Sequence, residues 1–435
     1  MKRSTSSPST AALAVTAVIA SISLAACGSG SASNGSAPVD PNSVSGTITW
    51  WDTSDSTNEA PAYQELIKQF AARYPKIHVN YVNVPFSDAE NKFKTAANAN
   101  KGAPDVFRSD VGWTPTLAQL GYLQPLDGTA ALVDDSDYLP GPYATDHFNG
   151  HIYGVPEVTD TLALLYNKKL FAQAGITTPP TTWDELTADA RTVERKVPGV
   201  TGIFLDPDAY YLLPFVYGEG GDYVNTTTRK ITVNSPAVQA AVAETQALTA
   251  TGTGHTDTSS NAYTNMQNEF KSGQVAMIIN GPWSTSDDLK GSAFGDSGNL
   301  GVADVPAGPK GQGGPTGGHN LVVYAGSANL PADYLFARFM NSAASQAYIA
   351  KQNNVLPTRT SVYSMSQVTG NPLLAAFAGP LKVSRARPAA AGAGDLYDVI
   401  TPFYQKIMSG QASISDGLGQ AQRQSAQYVP GFSAS

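Results

Sequence analysis

The sequence predicts an α/β protein of two lobes. A strand–helix–strand–helix–strand alternation runs from Gly46 to Phe107, and a second alternation starts at Thr161. The chain's 435 residues, 42% of them hydrophobic, suffice for more than one core. Gly46-Thr47-Ile48-Thr49-Trp50-Trp51 alternates as a strand. Asn58 to Tyr74 reads as a helix because Tyr63, Leu66, Ile67, Phe70 and Tyr74 recur at helical spacing, with Pro75 beyond its end. Ile77 to Tyr81 alternates again, a helix carrying Phe93, Ala96 and Ala97 follows, and Pro104-Asp105-Val106-Phe107 is a short third strand. Such an order implies a parallel sheet covered by helices.

Downstream, Thr161 to Tyr166 is a continuous apolar strand, and Thr182-Trp183-Asp184-Glu185 is a capping box after Pro179-Pro180. Ser235-Pro236 supplies a cap and an N1 proline for another helix. The helix Ala262 to Lys271 stops at Gly273, and Val275 to Ile279 is a strand. A strand at Leu321 to Tyr324, a helix from Asp333 to Met340 and helices in the last seventy residues complete the pattern, with no internal repeat. The cleft between two such lobes gathers the carboxyl ends of strands, where open α/β sheets bind ligands.

Charge and export signals narrow the function. Lys+Arg 27 against Asp+Glu 35 gives −8, with no basic cluster to displace phosphate counterions, so nucleic acid is excluded as a partner. Lys2 and Arg3 precede an apolar, small-residue segment from Ala11 to Ala26, the layout of a secretory signal. It ends in Leu24-Ala25-Ala26-Cys27, similar to a bacterial lipobox, and Cys27 is the chain's one cysteine. Residues 1–26 are therefore expected to leave, which shifts the balance to −10, and Cys27 to carry lipid. A mature fold without other cysteines has no disulfide, thiolate metal site or cysteine nucleophile. Residues 27–46, rich in Gly, Ser, Ala and Asn, form a tether; the 19 residues from Gly28 to Gly46 reach roughly 24 Å.

Catalytic motifs are weak. The five histidines show no HExxH spacing. Gly295-Asp296-Ser297-Gly298 is expected to be a loop, and Gly308-Pro309-Lys310-Gly311 lacks phosphate-loop spacing. Aromatic and acidic residues at strand ends are the stronger signal: Trp51-Asp52, Asp110 to Trp113, Asp160, Asp208 to Tyr211, and Asn280-Gly281-Pro282-Trp283. A pyranose presents a C–H face to an aromatic ring and a rim of hydroxyls to planar acceptors and donors. Aromatic contacts are worth about 0.5–1.5 kcal/mol beyond area burial, and charge-assisted hydrogen bonds about 1.5–3 kcal/mol. Two or three of each reach the roughly 8 kcal/mol of a micromolar site. Trp50 is expected in the core in preference to Trp51, Trp113 and Trp183 are expected as packing anchors, and Asp105 as structural. Trp283 stands apart because Gly281-Pro282 breaks the strand and projects the indole, leaving core and ligand roles both open.

Several segments resemble a known family: Ile48 to Thr53, Asn58 to Pro61, Tyr81 to Phe86, Gly102 to Val106, Val111 to Pro115, Tyr153 to Pro156, Thr159 to Leu164, Tyr166-Asn167-Lys168 and Ile279 to Trp283. They are similar to the sugar-binding lipoproteins of ABC importers, solute-binding protein family 1, and especially to actinobacterial maltose/maltodextrin-binding lipoproteins. The resemblance implies a two-lobed type II periplasmic-binding-protein-like fold, hinged at crossings near Thr159, Gly317–His319 and Pro357. One lobe would hold residues 47–158 plus 319–356, the other 159–318 plus 357–435. It implies a glucosyl ring on Trp283, hydroxyl contacts from Asp160, Asp208, Asp110 and Asp52, and stacking on Tyr210. Tyr397 would stand in for a tryptophan of the enterobacterial pattern, and Arg385 or Arg387 would reach hydroxyls.

The implied protein is a monomer without cofactor, metal or catalysis. It is lipid-anchored on the extracytoplasmic face of the membrane and delivers maltose or maltodextrin to a permease served by a separate ATPase. The rivals are the same fold binding trehalose or a galacto- or xylo-oligosaccharide, and a secreted glycosidase using two of Asp110, Asp160 and Asp208, whose carboxyls would stand about 5–9 Å apart.

Overall fold

Alternation in Gly46–Asp52 buries side chains on both faces of the strand it forms. Trp50 packs edge-on against Tyr63, Tyr81 and Phe336 on one face, and Trp51 against Phe107 on the other. Both indoles are core, where alternation led us to expect only Trp50. A parallel strand covered by helices on both sides has no solvent face, so its alternation carries no inside–outside information. Each such ring contributes about 1.5–3 kcal/mol of burial.

The computed structural model describes residues 40–250 and 252–434, so the signal segment, Cys27 and most of the tether lie outside the described residues. Two sheets organise the chain. Their strands are β1 (Gly46–Asp52), β2 (Ile77–Asn83), β3 (Val106–Asp110), β4 (Gly154–Thr161), β5 (Ala163–Asn167), β6 (Thr201–Phe204), β7 (Gly254–His255), β8 (Val275–Asn280), β9 (Leu300–Ala303), β10 (Pro315–Val323), β11 (Leu356–Pro357) and β12 (Arg385–Ala386). The larger sheet runs β11-β4-β10-β3-β1-β2, with β12 beside β10; the smaller runs β7-β6-β8-β5-β9. β1, β2 and β3 are mutually parallel, as the strand–helix alternation requires, while β10 is antiparallel to β3 and β4. The apolar run expected as one strand from Thr161 changes sheet at Leu162, which lies between β4 and β5.

Helices Ala60–Arg73, Phe86–Asn98 and Leu330–Met340 flank the larger sheet. Trp183–Lys196, Ala209–Gly218, Pro236–Leu248 and Leu396–Met408 share the core around the smaller one. Their caps are local: Thr182 accepts from the Glu185 amide, and Gly273 closes the helix Ala262–Ser272 with φ +79°. Asp105 is structural, accepting from the Thr49 amide (2.7 Å) and the Ser327 hydroxyl (2.8 Å). Trp113 and Trp183 are packed, and Gly295 to Gly298 is a loop around a 3₁₀ turn. Three backbone segments lie side by side where the sheets meet, since Thr159 pairs in register with Gly318 and with Leu356. No helix among the described residues is long and apolar enough to cross a membrane.

Candidate functional site

β1 and β3 deliver acids and a guanidinium to their carboxyl ends, as parallel strands do. Arg108, 2% exposed, donates from Nε to Glu157 at 2.6 Å and from Nη2 to the Tyr63 hydroxyl at 3.3 Å. Asp52 stands 3.9 Å from the same guanidinium and accepts from the Tyr81 hydroxyl (2.7 Å) and the Ser54 amide (3.0 Å). Burial pushes Glu157 up to about 7 against the pull of Arg108, and Glu59 is raised for the same reason. Asp52 is wholly buried in this knot and has no oxygen turned to open space.

A second cluster has unmet bonding capacity. Asp110 ends β3, accepts from the Gly112 amide (2.6 Å) and pairs with Arg387 Nη2 at 2.7 Å. The Arg387 guanidinium lies 5.8 Å from the Tyr210 ring and 6.0 Å from the Tyr397 ring. Those two rings meet edge-on at 5.5 Å, and Tyr211 meets Tyr210 likewise at 5.8 Å. Asp160, 8% exposed, accepts no hydrogen bond from the described residues. A Cβ on Gly317 would fall 2.1 Å from Asp160 Oδ1 and 2.9 Å from the Tyr210 hydroxyl, so only glycine lets both groups crowd this strand. Burial first, then the Asp110 charge, pushes Asp160 up to about 7, with Arg387 opposing. The sequence had offered no such raised acid.

Asp208 is the N-cap of Ala209–Gly218, accepting from the Tyr210 amide (2.7 Å) and the Thr401 hydroxyl (3.1 Å). Burial raises it to about 6, and those two bonds pull the other way. It orients the start of the tyrosine-bearing helix. Asp206, which sequence reasoning passed over, is pushed up to about 8 by burial and by Asp208.

Half-buried Trp283 opens the short helix Pro282–Asp288 after β8. The hydroxyl of Tyr263, a ring 37% exposed, sits against Asn280 and the Trp283 indole, and the ring lies 6.3 Å from Tyr211. Tyr263, Tyr211, Tyr210 and Tyr397 thus form one aromatic run, with Trp283 near the Tyr263 hydroxyl at its end. Tyr263 lies on a helix with no local signal for a site, and only its neighbours reveal it. Tyr397 joins the cluster, but Arg385 does not: its guanidinium covers Tyr217 at 5.2 Å, and its Nε donates to the Gln312 carbonyl at 3.3 Å. Two residues further along, Arg387 takes the position beside Asp110.

The structure therefore brings together Asp110, Asp160, Tyr210, Tyr397 and Arg387, joins Trp283 to them through Tyr263 and Tyr211, and withholds Asp52 and Arg385. No group of three or more His, Cys, Asp or Glu suited to a metal occurs among the described residues. Two open surface concavities of about 500 and 570 Å³, one by Trp51 and Lys92 and one by Tyr166 and Phe171, include none of the cluster residues. The cluster can stack flat C–H faces and hydrogen-bond hydroxyls.

Residues 54–347 match the profile of the family described as bacterial extracellular solute-binding protein. The GacH receptor of Streptomyces glaucescens, solved unliganded and with acarbose, is 43% identical with TM-score 0.85, covering 90% of this chain and all of that one. A maltooligosaccharide ABC transporter solute-binding lipoprotein of Streptococcus pneumoniae is 27% identical over 94% of this chain and 95% of its own. A maltotriose-binding protein of Pyrococcus abyssi is 26% identical over 77% of this chain and 71% of its own.

Proposed function

Since the chain belongs to the bacterial extracellular solute-binding protein family, we propose that it is the substrate-binding component of a carbohydrate ABC importer. Its ligand is an α-glucooligosaccharide of the maltose/maltodextrin kind, which it passes unaltered to a permease powered by a separate ATPase. The observation that carries this reading is the convergence of unpartnered Asp160 and the Tyr210 hydroxyl on Gly317, beside an aromatic run from Tyr397 to Tyr263 that ends near Trp283. Acceptors without protein partners at a sheet junction suit sugar hydroxyls, and the rings suit sugar faces.

In this reading residues 47–158 plus 319–356 and 159–318 plus 357–435 are hinged lobes. The lipid on Cys27 holds the protein at the outer face of the membrane. A sugar touching both lobes favours the closed form, which the permease recognises. Calorimetric titration of the purified protein with maltose, maltotriose, acarbose, trehalose and galacto- and xylo-oligosaccharides tests the ligand. Micromolar binding of the α-glucans is expected; silence from them at millimolar concentration, with heat from another sugar, overturns it.

One observation favours a second reading, hydrolysis: Asp160, held up at about 7, neighbours Asp110, and a raised acid beside a second carboxyl is what a glycosidase needs. The solute-binding class of the relatives favours transport. Maltotetraose incubated with the protein should be recovered at full length. Shorter products, abolished by Asp160→Asn, would establish the enzyme instead.

A further inference from the structure

The stretch Arg387-Pro388-Ala389-Ala390-Ala391-Gly392-Ala393-Gly394-Asp395 is built of small residues, with one charge at each end. It runs from β12 to the helix Leu396–Met408, and its Ala393, with Leu396 and Ile400 of that helix, belongs to the core around the smaller sheet. Its charged ends and its glycines reach the other way, to β3, the turn after it and the helix Phe86–Asn98 on the flank of the larger sheet.

At the first end, the Arg387 guanidinium donates to Asp110, the last residue of β3, at 2.7 Å. At the other end, Asp395 holds Lys94 of the helix Phe86–Asn98 on one oxygen (2.7 Å) and accepts from the Thr116 hydroxyl on the other (3.3 Å). Thr116 is used twice, because its oxygen also accepts from the Gly392 amide at 2.9 Å. Between these points backbone meets backbone: a Cβ on Gly394 would fall 2.6 Å from the Gly112 carbonyl oxygen, so only glycine permits the approach. The outer ion pair is the more open, 24% exposed at Lys94 against 9% at Arg387, so added salt weakens it first. Separately such contacts are weak. On one short segment the first contact confines the next near its partner, and they act together. None of them involves a ligand.

In the two-lobed reading, residues 387–395 belong to one lobe, and Lys94, Asp110, Gly112 and Thr116 to the other. We propose that residues 387–395 are a strap that clasps the two lobes in the absence of sugar, with Arg387 and Asp110 as the catch beside the candidate site and Asp395, Lys94 and Thr116 as the catch outside it. A sugar then enters a cleft that its own chain already draws together. The strap rests on the two-lobed carrier reading and is independent of which sugar is carried.

Small-angle X-ray scattering of the purified protein, with and without saturating maltotriose, tests it. The sugar-free parent should already have nearly the radius of gyration of the loaded one. Asp395→Asn, outside the candidate site, should enlarge the sugar-free form and shift its ratio of closed to open molecules about fivefold, the weight of one partly exposed ion pair. Gly394→Val, which wedges a side chain against the Gly112 carbonyl, should open it further, and about 0.5 M salt should open the parent in the same direction. The exchanged pair Lys94→Asp with Asp395→Lys should close it again, a rescue that a damaged fold would not show. A sugar-free Asp395→Asn as compact as the parent, or a parent that contracts on sugar as far as Gly394→Val does, would overturn the strap. A parent that gives no calorimetric heat with any sugar of the panel would overturn the carbohydrate reading instead, and the sugar-free radii would still decide the strap.

Discussion

Two clusters of acids with one arginine lie near each other at the strand ends, and they differ in what their polar atoms still lack. Around Arg108, the acids Asp52, Glu59 and Glu157 and the phenol of Tyr63 gather on one guanidinium, closed to solvent, and the one Glu157 oxygen left without a partner is itself buried. Around Arg387, only Asp110 is paired, while Asp160 has no partner and tyrosine rings frame the gap. The residue types are the same. The first arrangement can hold a fold together, and the second can still accept a guest. Unmet hydrogen-bonding capacity that keeps accessible surface, as at Asp160, more than acid content, separates a site from a structural knot.

The largest expected effect falls on the knot. Arg108→Met strands Glu157 as a buried, uncompensated acid, and breaking such a pair costs about 3–5 kcal/mol. Urea denaturation should register that loss in full. A variant as stable as the parent would erase the distinction between the clusters. Next comes the sugar side: Trp283→Ala should weaken maltotriose binding by about 2 kcal/mol, roughly thirtyfold, with little change in apo melting temperature. Unaltered affinity would remove Trp283 from the site.

Asp160 offers a smaller and more specific contrast. Its folded value of about 7 lies above the ordinary carboxylate value of 3.8. From pH 4 to 7 the folded state therefore keeps a proton that the unfolded chain has released, and stability falls as pH rises through that window. One such group contributes a slope of at most about 1.4 kcal/mol per pH unit. Asp208, raised to about 6, and Glu157, raised to about 7, act with the same sign. Asp160→Asn should flatten the decline measured by urea midpoints at pH 5, 6 and 7; parallel slopes in parent and variant would show that the group titrates normally.

Much of this was legible from local pattern. Helical spacing from Tyr63 to Phe70, the Thr182 cap, the structural Asp105 and the strand-breaking Gly281-Pro282 before Trp283 are encoded within a few residues each. What failed depends on distant partners. Asp52 looks like any acid at a strand end until Tyr81, Arg108 and Glu157 close around it from three other strands. Arg385 and Arg387 are two residues apart with equal local claims, and the pairing of β12 with β10 comes just before the chain sends Arg387 to Asp110. Leu162 sits inside an unbroken apolar run, so nothing local marks the change of sheet there. The tyrosine on the helix Ala262–Ser272 comes beside the candidate site only through Trp283 and Tyr211. The expectation of a lipid anchor rests on Cys27, outside the described residues.

The smallest effect lies where the two regions are tied across the junction. Lys94, on the helix Phe86–Asn98, reaches Asp395 at 2.7 Å and Glu90 at 3.2 Å, and the Thr116 hydroxyl donates to the same Asp395 at 3.3 Å. Asp395 precedes the helix that carries Tyr397, so this contact links the helix Phe86–Asn98 to the tyrosine side of the candidate site. Burial, then Asp395, pushes Glu90 up to about 8, which weakens Glu90 as a charged partner of Lys94 at neutral pH. A pair still a quarter open on the lysine side is worth at most about 1 kcal/mol and is screened by salt. Lys94→Ala should therefore weaken maltotriose binding by no more than about fivefold at low ionic strength, and the deficit should shrink in 0.5 M salt, roughly a 4 Å screening length. A deficit that survives salt unchanged would mean that the lysine stem packs the junction apolarly, and the tie between the two sides would then be hydrophobic in origin.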